Sequence, residues 1–148
     1  MKPHFLLILF VSAILSVNPN SQQPKTPQTH KLSPEEFDLL SKSGKPIYID
    51  GERIHRGAEI HQKAHILSKP EPTYTDNARK NNVEGTVEIV LIITSTGKVK
   101  VLHVRKGLPD GLTEQALKVA KKIKFRPATV DGKPVSMFII AVYNFSLR

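Results

Sequence analysis

Alternation of apolar and polar positions is strongest in the second half of the chain. In EGTVEIVLIITSTG (84–97), Val87, Ile89, Leu91 and Ile93 share one face. The opposite face is less clean, because Val90 and Ile92 lie between Glu88 and Thr94. A period of two predicts a strand, Ser95-Thr96-Gly97 predicts a turn, and GKVKVLHVRK predicts an antiparallel return. Leu112, Ala116, Val119, Ala120 and Ile123 then recur at helical spacing and leave Lys118, Lys121 and Lys122 outside. Leu108-Pro109-Asp110-Gly111 reads as the loop before that helix, with Asp110 as its cap. Phe125 to Ala128 is a short extended exit, Asp131-Gly132 a tight turn, and Pro134 to Leu147 a final strand. Ahead of all this, YTDNARKNN reads as a short helix starting near Thr75 or Asp76. The order helix, strand, strand, helix, strand predicts an α+β domain with two helices packed on one face of a three-stranded antiparallel sheet.

Upstream the signals are local. Ser33 suits an N-cap, Pro34 the first helical position and Glu36 a capping box, with Leu32 and Phe37 placed for a hydrophobic staple. Gly44 stops the helix, which gives an expected span of 33–43. IYIDGERI (47–54) carries the Asp-Gly of a hairpin, and AHILSKPEPTY holds one extended piece, His65 to Leu67, before two prolines. Residues 18–32, NPNSQQPKTPQTHKL, read as a tether. Before them runs FLLILFVSAILSV, 13 residues without a charge. As a helix it would reach roughly 20 Å against about 30 Å of bilayer hydrocarbon. It therefore reads as a secretory signal peptide, with an uncleaved membrane anchor as the rival reading. The expected divisions are 1–17 signal or anchor, 18–46 tether with its short helix, 47–69 extension, and 70–148 the folded domain.

Charge adds one feature. The net charge is +9, and nine Lys or Arg stand against Asp110 and Glu114 between Lys98 and Arg126. In a cytosolic protein that balance points to nucleic acid. Behind an export signal it points instead to acidic lipid or glycan surfaces or acidic protein segments, or to a plain solvated basic face.

Candidate chemistry is sparse. The chain has no cysteine, so it has no disulfide, thiolate metal site or Cys nucleophile. HQKAH (61–65) has two histidines four apart, but Gln62 stands where a zinc protease needs Glu, and ordinary exposed histidines are the expectation. His103, mid-strand among cations, reads as a surface residue. No Gly-x-Ser-x-Gly elbow, paired carboxylates or Gly-rich phosphate loop occurs, and aromatics do not interleave with the basic residues. The expectation is a non-enzyme with no catalytic residues, cofactor or metal.

Six pieces of the sequence recur in order over residues 70–147. They are Tyr74, Ala78-Arg79, Val83-Glu84-Gly85-Thr86-Val87, Thr96-Gly97-Lys98-Val99, Phe125-Arg126-Pro127, and Asp131-Gly132-Lys133-Pro134-Val135 through Tyr143-Asn144-Phe145. Together they resemble the TonB carboxy-terminal domain family. Thr75 stands where that family often has Pro, and Ile123 where it often has Trp. The resemblance implies a cell-envelope protein facing the periplasm, exported or held at the inner membrane. It would bind an outer-membrane transporter segment by strand addition and take part in energy transduction for transmembrane transport. Energy-transducing members look like a full membrane helix plus a long Pro-rich spacer, and the short apolar run and tether here depart from that. The alternative is a stand-alone exported interaction or homodimerisation module of the envelope without energy coupling. Nucleic acid is not an expected partner.

The final strand is where a partner is expected. Val135 to Phe145 carries no charge and no internal Pro, although exposed sheet edges are usually blunted by one or the other. If it is an edge, Val135, Met137, Ile139, Ala141, Tyr143 and Phe145 face the helices. Phe138, Ile140 and Val142 then face outward. The expected partner-binding residues are Val135, Ser136, Phe138, Ile140, Val142 and Asn144. The competing expectation is that residues 47–67 fold back and cover this edge.

Overall fold

The structure is a computed structural model that describes residues 32–147. The expected signal or anchor and the tether up to residue 31 lie outside the described residues.

Helix α1 (Pro34–Lys42) starts with a reciprocal box. The Ser33 hydroxyl accepts from the Glu36 amide at 3.2 Å, and the Glu36 carboxylate accepts from the Ser33 amide at 2.9 Å. Strands β1 (Ile47–Ile49) and β2 (Glu52–His55) form a hairpin. Its two turn residues, Asp50 and Gly51, have φ of 52° and 77°, the left-handed pair such a turn requires. A 3-10 turn at Gly57–Glu59 leads to β3 (His65–Ser68) and then α2 (Asp76–Lys80), capped by Thr75. The hairpin of β4 (Gly85–Ile93) and β5 (Val99–Lys106) precedes α3 (Leu112–Ala120). Short β6 (Lys124–Arg126) and β7 (Ala128–Val130) lead into β8 (Lys133–Phe145). Asp110 is not the cap of α3: Gly111, at φ 82°, holds that position with no side-chain bond. The Asp110 carboxylate instead accepts from the Asn81 amide nitrogen at 2.8 Å, tying the end of α2 to the start of α3.

The expected trio is present as β8-β4-β5, all antiparallel, but the sheet is larger than three strands. Its order is β1-β2-β8-β4-β5, β7 also pairs with β8, and β3 and β6 form a separate two-stranded ribbon. The hairpin at 47–54 and the extended pieces at 65–67 and 125–128 were expected, but their pairing escaped the sequence pattern for a physical reason. Strand β2 joins β8 in parallel through only Ile54↔Ser136 and His55↔Met137, a long-range pairing too short to leave a period. Strands β6 and β7 are three residues each.

Two apolar layers cover the central strand. On one face Val87, Ile89, Leu91 and Ile93 pack with Leu112, Ala116, Ala120 and Ile123, joined by Ala141, Tyr143 and Phe145 from β8. Val119 borders the same cluster half-buried. This is the expected helix-covered face. The other face is also covered: Ile92 packs with Ile47 and Ile54 of the β1-β2 hairpin, bordered by Leu40, Leu102 and Phe138. Phe37 of α1 sits edge-on to Phe138 at 5.0 Å and to His103 at 5.2 Å. The apolar residues that interrupt the outward face of β4 are therefore inside the protein, Ile92 of them under the N-terminal extension. His103 is correspondingly half-buried beneath α1 rather than on the surface.

Candidate docking edge

Strand β8 is not a bare edge along its whole length. Its first residues pair with β7, from Val130↔Lys133 to Ala128↔Val135, on the side that β4 takes further along the strand. On the other side, away from β4, Ser136 and Met137 pair with β2. Among the described residues, strand pairing on that side ends at Met137, and residues 138–145 have β4 alone.

Successive residues of a strand turn their backbone N–H and C=O groups to opposite sides. The Ser136 carbonyl lies 3.3 Å from Nδ1 of His55, and the Val142 carbonyl accepts from Nζ of Lys69 at 2.6 Å. Both contacts come from the side away from β4, so the even-numbered residues present their backbone groups outward. The rail open to a new strand is therefore built from Phe138, Ile140, Val142 and Asn144.

Its side chains divide by face. Ala141, Tyr143 and Phe145 are buried against the helices, which makes the rail rigid. Ile140 and Val142 are 43% and 40% exposed. Asn144 is exposed, and its side-chain oxygen accepts from the Thr86 hydroxyl at 3.3 Å. An apolar cleft of about 430 Å³ opens beside the start of the rail, between Met137, Ile139 and Ile140 on β8 and Ala64 and Ile66 across it. Lys63 stands at the cleft, and Ile66 is 41% exposed. Lys69 closes the other end. Besides its bond to Val142, its ammonium lies 4.5 Å from the centre of the Tyr143 ring. The Tyr143 hydroxyl is buried without a partner, and burial, with the charge of Glu71 adding to it, pushes its pKa up to about 12.

Of the six residues expected to meet a partner, Ile140, Val142 and Asn144 lie on the free stretch. Val135 is paired to Ala128. Ser136 is buried, its hydroxyl accepting from the Ser95 amide at 2.7 Å and donating to Glu52. Phe138 does not lie on an open face, because Phe37 of the same chain occupies it. The expected fold-back of residues 47–67 is thus realised over the first part of the strand and not over the rest. Sequence reasoning missed Lys69 and Ile66. The available signal was the apolar Ile66-Leu67 pair inside an otherwise polar stretch.

Other candidate chemistry does not assemble. His61 lies in a turn 3.2 Å from the Asp131 carboxylate while His65 begins β3, so the two do not share a helix. Among the described residues no three His, Asp or Glu side chains are placed to hold a metal ion. Among them, too, no helix is long and apolar enough to cross a membrane.

Comparison with known proteins follows the same stretch of chain. The family model for the Gram-negative bacterial TonB protein C-terminal matches residues 70–147. Protein TonB of Vibrio cholerae serotype O1 is 29% identical over 90 residues, which are 60% of this chain and 37% of that protein. The matched stretch is thus little more than a third of that relative's length. The solution NMR structure of the Pseudomonas aeruginosa TonB CTD aligns over 57% of this chain and 87% of its own, at 24% identity and a TM-score of 0.43.

Proposed function

Because the chain belongs to the TonB C-terminal family, we propose that it is a TonB-like protein of the cell envelope whose β8 rail receives an extended segment of an outer-membrane transporter. In this reading it takes part in energy transduction for transport. The observation that carries it is the stretch 138–145, which has no strand beyond it among the described residues: even residues turn their backbone groups outward, with Lys69 on the Val142 carbonyl, and Ile140 and Val142 are exposed. Strand addition takes affinity from such backbone groups and selectivity from pockets for alternate side chains, here the cleft beside Ile140. The start of this edge is already filled by β2, which sets the register from Phe138 onward. The second reading, a stand-alone module that pairs with a second copy, uses the same rail.

Ile140→Pro tests the proposal. The Ile140 N–H points away from β4, so proline there deletes a docking donor and leaves the β4 ladder intact. Val142→Lys is the milder companion. Synthetic peptides covering the periplasm-exposed segments of the outer-membrane transporters of the same cell serve as ligands in calorimetry. The expected result is a peptide that binds the wild type and loses about tenfold or more, roughly 1.4 kcal/mol, with either variant. Circular dichroism checks that both variants fold. Wild-type binding retained by a folded Ile140→Pro protein sinks the rail. No binding of any peptide, with a dimer lost in both variants, moves the rail to the second reading.

A further inference from the structure

Four cations of the described surface are answered by acids. Arg53 and Arg56 share Glu59 at 3.1 and 3.0 Å, Lys100 meets Asp50 at 3.3 Å, and Arg105 lies 3.7 Å from Glu88. Among the cations that are not, the stretch KVAKKIKFR, residues 118–126, is the densest run. It holds Lys118, Lys121, Lys122, Lys124 and Arg126 and no acid. All five are exposed, and among the described residues none forms an ion pair. Lys118 and Lys121, at the C-terminal end of α3, complement the helix dipole. That account stops at the end of the helix. Lys124 and Arg126 lie on β6, where Phe125 pairs with Ile66 and turns into the core. Alternation along the strand then places Lys124 and Arg126 on the outer face of the ribbon, beside Ser68 and His65 across the pair. Like charges crowded in this way repel, and nothing in the fold draws them together.

We propose that this face, the C-terminal end of α3 and the outer side of β6, is a seat for a membrane surface bearing anionic lipid headgroups. The residue choice argues for lipid over a shaped acidic ligand. Four of the five cations are lysines, compact and strongly hydrated point charges that suit a mobile array of phosphates. A carboxylate or phosphate held in fixed geometry favours the bidentate fork of arginine. The stretch also offers no exposed aromatic on which a sugar ring of an acidic glycan would stack, since Phe125 is buried. The site is separate from the β8 rail and does not depend on what the rail binds.

The test is vesicle co-sedimentation of the full chain, with phosphatidylcholine alone and with about 30% phosphatidylglycerol added. Any membrane affinity of the N-terminal apolar run is common to all proteins compared, so the readout is the difference between wild type and K121Q/K122Q/K124Q. The expected wild-type preference for anionic vesicles is about tenfold near 0.1 M salt and disappears near 0.5 M. The expected variant has the wild-type circular dichroism spectrum and no preference. K124Q/R126Q, confined to β6, replaces it if the triple variant does not fold. Equal binding of wild type to both vesicles overturns the proposal, as does a folded variant that keeps the preference. So does retention on an acidic polysaccharide resin with no preference between vesicles, which would assign the patch to a glycan.

Discussion

His103 shows how one side chain reports on a whole layer. Its ring lies edge-on to Phe37, and its Nδ1 is buried without a hydrogen-bond partner. Burial therefore holds its pKa below the ordinary 6.5; the charges of Asp38 and Glu35 oppose this, and Arg105 adds to it. A histidine with a depressed folded pKa binds its proton more weakly folded than unfolded. Its contribution is fully present above about pH 6.5 and is lost as pH falls below that value towards the folded pKa. The wild-type melting temperature is expected to drop between about pH 7.5 and pH 5.5, and His103→Leu to flatten that drop. Identical pH profiles for the two proteins would show that α1 does not keep His103 dry. Tyr143, also buried without a partner, titrates far above this window and does not contribute to it.

At the scale of elements, β4 decides the architecture because it is buried on both faces. Val87 to Ile93 contains one half-buried residue, Glu88, and six that are fully buried. Odd residues meet α3, and Ile92 on the even face meets the N-terminal extension. Leu91, fully buried in the larger cluster, carries a direct test of that assignment. Leu91→Ala is expected to cost about 2–5 kcal/mol, lowering the melting temperature by several degrees. A shift of less than about a degree would mean that the odd face is not the core face. The helix and strand starts of this region were legible in the sequence because they are local. Ser33 with Glu36, Asp50-Gly51, Thr75 and Asp131-Gly132 each satisfy backbone groups within a few residues. Asp110 was misread because a capping residue type is not a cap: its backbone turned left-handed at φ 58° and its carboxylate found Asn81 instead.

The described residues form a sheet covered on one face by α2 and α3 and on the other by α1 and the β1-β2 hairpin, and this second layer comes from residues before the matched family region. Removing residues 1–69 is expected to uncover Ile92 and Phe138 and to free the β8 edge at Ser136 and Met137. Such a fragment exposes an apolar face beside an unpaired edge, so light scattering is expected to find it dimeric or larger. A monomeric fragment melting at the full-chain temperature would reduce the extension to a loose attachment. The sequence by itself determined what short range can encode: the caps, the turns, the periods of β4 and α3, and the likeness over residues 70–147. It also marked the last strand as apolar on both faces. Only the tertiary structure decided what lies against those faces, because that depends on contacts between residues a hundred positions apart. Phe37 took the place at Phe138 that a partner was expected to fill, β2 closed the first part of the edge, and Ile140 and Val142 were left open. An apolar side chain states that it needs cover, since its removal from water is favourable whatever supplies the contact. That preference is non-directional, so which part of the chain or which partner supplies the cover is settled by packing in three dimensions.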